Sequence, residues 1–415
     1  MPPPRRVYLD HAATSWPKPE AVYRAVEHYQ REVGAPHGRS GYREALQSNQ
    51  VVERARQGVA ELIGAQRACQ VVFTASGTDS LNLAIRGIVR PGDHVVTSVC
   101  EHNSVLRPLR DLQDNFEVSV HYVPCDEQGR LSADDIRQAL RGETRLVVVQ
   151  HGSNVTGAIQ PIGLIAQLLR GHDALLLVDA AQTAGHVPID VGRLGIDLLA
   201  APGHKGLLGP LGTGVLYLRP GVQQVLRPLR MGGTGTHSSD ERQPDQLPDK
   251  YESGSHNLPG LAGLAAACDF LKARTVEKIH AQLACQTGQL LNRLEDLAAA
   301  GRADLKVYGP RPEQPMASQQ SHVEGDIQGG IEESAPAHRT SVVSLTLRDY
   351  DPQELAILLE ASHGIQARAG LHCAPRMHQA LGTLAGGGTL RLSLGWSTTQ
   401  EEIDQTVQAL AALAP

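Results

Sequence analysis

The chain has 415 residues, 41% of them hydrophobic and 20% charged, with 38 basic against 44 acidic side chains and a formal net charge of -6. That balance offers no bulk positive field for nucleic acid, and no stretch approaches the ~18 uncharged apolar residues of a membrane span. Six cysteines, at 69, 100, 125, 268, 285 and 373, are too sparse for a disulfide framework and include no C-x-x-C zinc spacing, so the expectation is a cytoplasmic protein of two or three domains without a metal.

From about residue 70, short runs rich in Val and Leu alternate with helical stretches, which predicts a doubly wound α/β domain with a mostly parallel sheet buried on both faces. The expected strands are 71–74, 94–99, 118–123, 146–150, 174–179, 196–200 and 214–218, with helices at 79–89 and 162–170 between them. After residue 265 the rhythm changes to long helices, 261–274 and 276–300, then a strand at 342–347. Asp351, Pro352 and Gly364 bracket a further helix as cap, first turn and terminator. A strand over 389–396 follows, and Thr398 with Glu401 is expected to form a capping box opening the last helix. This division assigns 1–20 to an N-terminal segment that packs with the small domain, 21–265 to a large domain and 266–415 to a smaller α+β domain. Within the latter, the polar stretch 311–340 reads as a mobile insertion.

Chemistry-bearing groups recur at the ends of these strands. Lys205 follows an apolar strand inside a Gly- and Pro-rich run, where desolvation would lower its amine toward the neutral, nucleophilic form; a turn lysine is the plain alternative. A phosphate-binding P-loop is discounted there, since the pattern G-x-x-x-x-G-K-[ST] is lacking and Gly206 follows the lysine. Asp179, with Gln182 three residues later, ends the run ALLLVD at the edge where open α/β sheets bind ligands. It could serve a pyridinium nitrogen or simply cap a helix. Gly77 and Thr78 lie between a strand and a helix, an arrangement that offers amides to an anion, though an ordinary turn uses the same residues. His102 could stack on a planar ring or be structural, and Asn154 could bond a ring oxygen or form a turn. Cys373, in QARAGLHCAP, stands among Arg368, His372 and Arg376, the electropositive setting a reactive thiol wants, with a structural free thiol as the plain alternative. Arg391, on a predicted strand, is either a ladder residue or a bidentate grip for a carboxylate.

YLDHAATSWPKP near the N-terminus, VDAAQ, GHK followed by GPLGTG, and R-x-G-x-H-C-A together resemble the fold-type I pyridoxal-phosphate enzymes, specifically the class V aminotransferase family and its cysteine desulfurase branch. The resemblance runs over nearly the whole chain outside 311–340. It implies that Lys205 holds pyridoxal 5'-phosphate, that Asp179 pairs with its ring nitrogen, and that His102 stacks on the ring. Asn154 and Gln182 would contact the ring and its phenolic oxygen, with Gly77, Thr78 and His204 around the phosphate. Ser255 would lend a hydroxyl to the other subunit's phosphate, which implies a homodimer with shared sites. Arg391, with Arg368 nearby, would clamp the substrate carboxylate. The implied activity takes sulfur from L-cysteine onto Cys373 and then to an acceptor protein, leaving L-alanine. Alternatives of the same fold are a selenocysteine or cystine lyase that does not need Cys373, another class V activity, or an inactive sulfur-carrier scaffold. Three positions depart from the family pattern: Leu371 replaces a His beside the cysteine, His11 an Asn, and Pro202 a Ser before GHK.

Overall fold

The computed structural model describes residues 6–38, 40–235, 239–301, 303–311 and 339–413, so most of the insertion expected at 311–340 lies outside the described residues. Strand β1 (Val7–Tyr8) is followed by helices α1 (Glu20–His28) and α2 (Arg43–Leu62). Next come β2 (Val71–Thr74), α3 (Gly77–Ile88), β3 (His94–Ser98), α4 (Asn103–Phe116), β4 (Ser119–Val123), α5 (Ala133–Ala139) and β5 (Thr144–Gln150). Helix α6 (Ile162–Leu168), β6 (Leu175–Asp179), β7 (Leu198–Pro202) and β8 (Gly214–Leu218) complete a seven-stranded sheet of order β2-β8-β7-β6-β5-β3-β4.

Both faces of this sheet are buried except along the edge strand β4, and the strand period of two splits its side chains between two cores. Val147 and Val149 pack into one core, while their neighbours Leu146 and Val148 pack into the other. Strand β8 alone runs antiparallel to its neighbours. The reason is local: the 203–213 loop folds straight back, with the Gly203 amide on Thr213 O at 2.9 Å and the Gly209 amide on Gly203 O at 2.7 Å. The candidate lysine therefore rides on the one tight return in a sheet otherwise built from crossovers.

Helix α7 (Leu258–Arg274) packs on α1 and α2 and runs unbroken through residue 265, leading into α8 (Val276–Ala299). Beyond it, β9 (Leu305–Tyr308), β10 (Val342–Leu347), α9 (Pro352–His363), β11 (Ile365–Gln366), β12 (Arg368–Gly370), α10 (Pro375–Ala380), β13 (Thr389–Ser393) and α11 (Gln400–Leu413) follow. Four of these strands make an antiparallel sheet of order β12-β13-β10-β9, and β11 pairs in parallel with the N-terminal β1. The fold is thus α/β, a large mostly parallel sheet joined to a C-terminal α+β layer.

Asp351 caps α9 through the Gln353 amide and Gly364 ends it at φ 68°, as the sequence indicates. The last helix differs by one residue. Thr399 and Glu402, rather than Thr398 and Glu401, exchange the capping-box bonds, at 3.3 and 2.9 Å. Thr398 Oγ1 instead accepts from the Gly395 amide at 2.9 Å, closing the turn that ends β13 at Ser393. Sequence periodicity also overlooks α2, whose buried stripe of Ala45, Ser48, Val52, Ala55 and Val59 has helical spacing but little apolar bulk.

Candidate active site

The carboxyl ends of the parallel strands meet in a cavity of about 100 Å³. Gly77, Thr78, His102, Asn154, Asp179, Gln182, His204 and Lys205 all line it, so residues from five separate strand ends converge. Ser255, Arg368, Arg391 and Cys373 do not line it. A wider trough of about 1300 Å³, bordered by α6 and the junction of α7 with α8, contains neither Lys205 nor a cysteine.

At one end of the cavity, α3 begins. Ser76 caps it by accepting from the Asp79 amide at 3.1 Å, which leaves the first-turn amides of Gly77 and Thr78 without intrahelical partners. Glycine at 77 lets α3 start close against Pro202, to which a Cβ would make tight contacts of 3.0–3.1 Å. The Thr78 hydroxyl bonds Ser104 Oγ at 2.8 Å, and Ser104 in turn contacts His102. His102 caps α4: its Nδ1 accepts from the Ser104 amide at 3.0 Å. Burial first, then the charge of Lys205, pulls the imidazole down to about 4. The ring is therefore neutral at pH 7 with its proton on Nε2, since an amide can only donate to Nδ1.

At the other end, β6 delivers Asp179, 5% exposed. Its Oδ1 accepts from the Ala181 amide at 2.9 Å, its one hydrogen bond from side chain to protein among the described residues. Burial raises this carboxyl and Lys205 opposes that shift. A carboxylate buried so sparsely is completed by a protonated ring nitrogen, and free helix amides are completed by a phosphate. Those two features, with a lysine between them, fit pyridoxal phosphate.

Lys205 lies just past β7, where Ser15 Oγ grips its carbonyl at 3.0 Å. Ser15 and Lys18 also hold His204 O, at 3.1 and 2.7 Å, so the N-terminal segment straps the lysine loop. Desolvation pulls the Lys205 amine down to about 8, the nearby arginines add to this, and Asp179 opposes it. At pH 7 roughly a tenth of it is neutral, against one part in a few thousand for a lysine at 10.5. Uptake of pyridoxal phosphate is expected to accelerate about tenfold per pH unit up to about 8 and then level off. Lys18 is also lowered to about 8 by burial. Borohydride reduction with peptide mapping should place the label on Lys205, and a label on Lys18 would reassign the site.

The small sheet brings the thiol to the cavity mouth. Gly370, His372 and Cys373 have φ of 106°, 48° and 58°, so the loop after β12 turns sharply and leaves Cys373 exposed. The Asn103 amide bonds Cys373 O at 2.7 Å and Asn154 Nδ2 bonds His372 O at 2.6 Å, which pins the loop beside His102. Asn154 thus braces the thiol loop and keeps a buried Oδ1 without a partner. Gln182 likewise spends Nε2 on Ala12 O at 3.1 Å, and His204 Nδ1 meets Thr14 Oγ1 at 3.1 Å.

The electropositive setting expected for the thiol is narrower than the sequence suggests. His372 turns Nε2 toward Thr389 and is held at about 2 by burial and Arg391, so it carries no charge. Arg376 stacks its guanidinium 3.7 Å over the Tyr122 ring. Arg391, 3% exposed on β13, supplies the nearby cation, and Arg368 is its cross-strand partner.

A family model described as aminotransferase class V matches residues 7–323 and 326–406. The chain belongs to the class V aminotransferase family. Relatives of this class V chain include a probable cysteine desulfurase of Methanothermobacter thermautotrophicus, 34% identical over 98% of this chain and 94% of that relative. Another, from Halalkalibacterium halodurans, is 31% identical over 97% and 92%. Among solved structures, an apo cysteine desulfurase from Thermococcus onnurineus superimposes with TM-score 0.86 at 28% identity, covering 99% of this chain and 94% of that one.

Ser255 is exposed and lies outside the cavity. Its segment is nonetheless anchored: Arg56 forks onto Glu252 at 2.7 and 2.8 Å, and His256 reaches Glu252 at 3.1 Å. Burial pushes the Glu252 carboxyl up, but Arg56 and His256 outweigh it and hold it at about 2. Sequence reasoning missed this pair and also Asp10, Ser15, Asn103 and Ser104. Each acts on a residue far away in the chain or through its backbone; Asp10 and Ser15 lie within the YLDHAATSWPKP stretch, but that stretch does not name the residues they touch. Among the described residues no helix is long and apolar enough to cross a membrane, and no three His, Cys, Asp or Glu side chains gather as a metal site.

Proposed function

We propose that this chain is a cysteine desulfurase that converts L-cysteine to L-alanine and passes the sulfur through Cys373 to an acceptor protein, as a cytoplasmic homodimer. The observation that carries the reading is the exposed thiol loop pinned by Asn103 and Asn154 to the mouth of the cavity that holds Lys205 and Asp179. Two relatives named as probable cysteine desulfurases, aligned over nearly their whole lengths, support it.

Pyridoxal phosphate, when bound, supplies an electron sink for charge that develops at the substrate Cα. Lys205 would hold it, Asp179 would keep its ring nitrogen protonated, and the Gly77 and Thr78 amides with His204 would receive its phosphate, with Ser255 of a second subunit completing that end. Arg391 grips the substrate carboxylate. The Lys205 amine, lowered to about 8, takes the Cα proton as a base matched to neutral pH. Neutral His102, at the wall of the cavity, carries its proton on Nε2. The Cys373 thiolate attacks the substrate sulfur; an S–S bond forms on the enzyme as the substrate C–S bond breaks, and two protons complete alanine. Enzyme thiol plus cysteine thus becomes enzyme persulfide plus alanine, with atoms balanced.

The test is alanine and sulfide release from L-cysteine by the cofactor-loaded protein with a thiol reductant. Equal amounts of both are expected. Pyruvate in place of alanine would move the chain to a lyase, and neither product would remove cysteine as substrate.

A further inference from the structure

We propose that Asp10 positions the arginines that receive the substrate carboxylate and sets the charge they present, an inference that rests on the desulfurase reading above. The N-terminal segment brings it there. After β1 pairs with β11, the backbone crosses to β13, where Asp10 bridges Ser393 in parallel; the Ser393 amide bonds Leu9 O at 2.8 Å and the Ala12 amide bonds Ser393 Oγ at 2.9 Å. This register leaves the Asp10 carboxylate over Arg391, two residues earlier on the strand.

Asp10 Oδ1 accepts from Arg391 Nη2 at 2.8 Å, and Oδ2 lies 4.0 Å from Arg368 Nη1. Arg391 Nη1 reaches Asn154 O at 3.2 Å, while its Nε is buried without a partner. One terminal nitrogen of the fork is therefore tied to Asp10 and the other to the residue that braces the Cys373 loop, which fixes the plane of the guanidinium, and each of these NH2 groups keeps a second N–H. Two guanidiniums against one carboxylate leave a single positive charge, which one substrate carboxylate neutralises. Without Asp10, a buried cation would face Arg368 with no counter-charge and would lose its fixed aim. Asp10 also offsets the burial that lowers Arg391.

The test uses the cofactor-loaded full chain and its Asp10→Asn and Asp10→Glu variants. For Asp10→Asn, KM for L-cysteine should rise about tenfold with kcat within about threefold of wild type. Asp10→Glu, which restores the charge at a shifted position, should raise KM only about two- to fivefold. Cysteamine, which keeps the thiol and amine but lacks the carboxylate, should bind all three proteins within about twofold in a spectrophotometric titration. Equal weakening of cysteine and cysteamine, or an unchanged KM in Asp10→Asn, would overturn the proposal. If Asp10→Asn does not accumulate folded, Asp10→Glu decides: a raised KM with cysteamine unchanged supports the role, and no change in KM refutes it. Should the wild-type protein release no alanine, the desulfurase reading falls, and calorimetric titration with L-alanine and ethylamine tests Asp10 without turnover. A loss confined to L-alanine then supports the role, and equal losses refute it.

Discussion

Lys205→Ala is expected to abolish alanine formation from L-cysteine, by at least about 10²–10⁴-fold even with saturating pyridoxal phosphate, because the positioned base is gone. The fold should survive. The loop holding residue 205 is closed by backbone bonds, Gly203 to Thr213 and Gly209 to Gly203, and Ser15 reaches the residue's carbonyl rather than its amine. Removing the amine also removes the charge that opposes the upward shift of Asp179, so that carboxyl moves further up. The cofactor should still be retained through the α3 amides, although borohydride should no longer fix it to the chain. The measurement is a pair of assays on one preparation, alanine by chromatography and cofactor by absorbance after gel filtration. Turnover within tenfold of wild type would place the base elsewhere, and Lys18, the other lysine lowered to about 8, would be examined next.

Cys373→Ala should reduce sulfide release to a few per cent or less while leaving cofactor binding and thermal stability near wild type. Cys373 is exposed, its backbone carbonyl provides the anchoring contact to Asn103, and the substitution keeps that carbonyl. Alanine at φ 58° pays the same steric penalty as cysteine, so stability should change by less than about 1 kcal/mol. The decisive readout is a sulfur-labelled persulfide on the chain after one turnover, present in the wild type and absent in the variant. Equal sulfide release by both proteins would show a direct C–S lyase that does not use this thiol.

Most strands of the large sheet and the polar groups at their ends were legible in the sequence because their signals are local. A continuous apolar run such as ALLLVD must be buried on both faces, and its first polar residue emerges at the carboxyl edge where ligands bind. The positions read as Gly77, His102, Asn154, Asp179 and Lys205 do line one cavity. Roles that depend on orientation were less legible. His372 has the charge-bearing chemistry expected beside a reactive thiol, yet its ring turns to Thr389 and is neutral. Arg376 is diverted to Tyr122. The cap of the last helix moved by one residue because Thr398 was taken by the Gly395 turn.

The sequence by itself determined the family, the alternation that builds the sheet, and the kinds of chemical group available at each strand end, since propensity and period act over a few residues. Only the tertiary structure decided which of those groups meet. Asp10 and Arg391 are 381 residues apart and touch because β1 pairs with β11 and the chain just beyond it bridges β13 at Ser393. Ser15 grips Lys205 across 190 residues, and Asn103 holds Cys373 through a backbone amide that any residue but proline would supply. Such contacts are fixed by how packed layers dock, a global property to which no single stretch of sequence carries a signal.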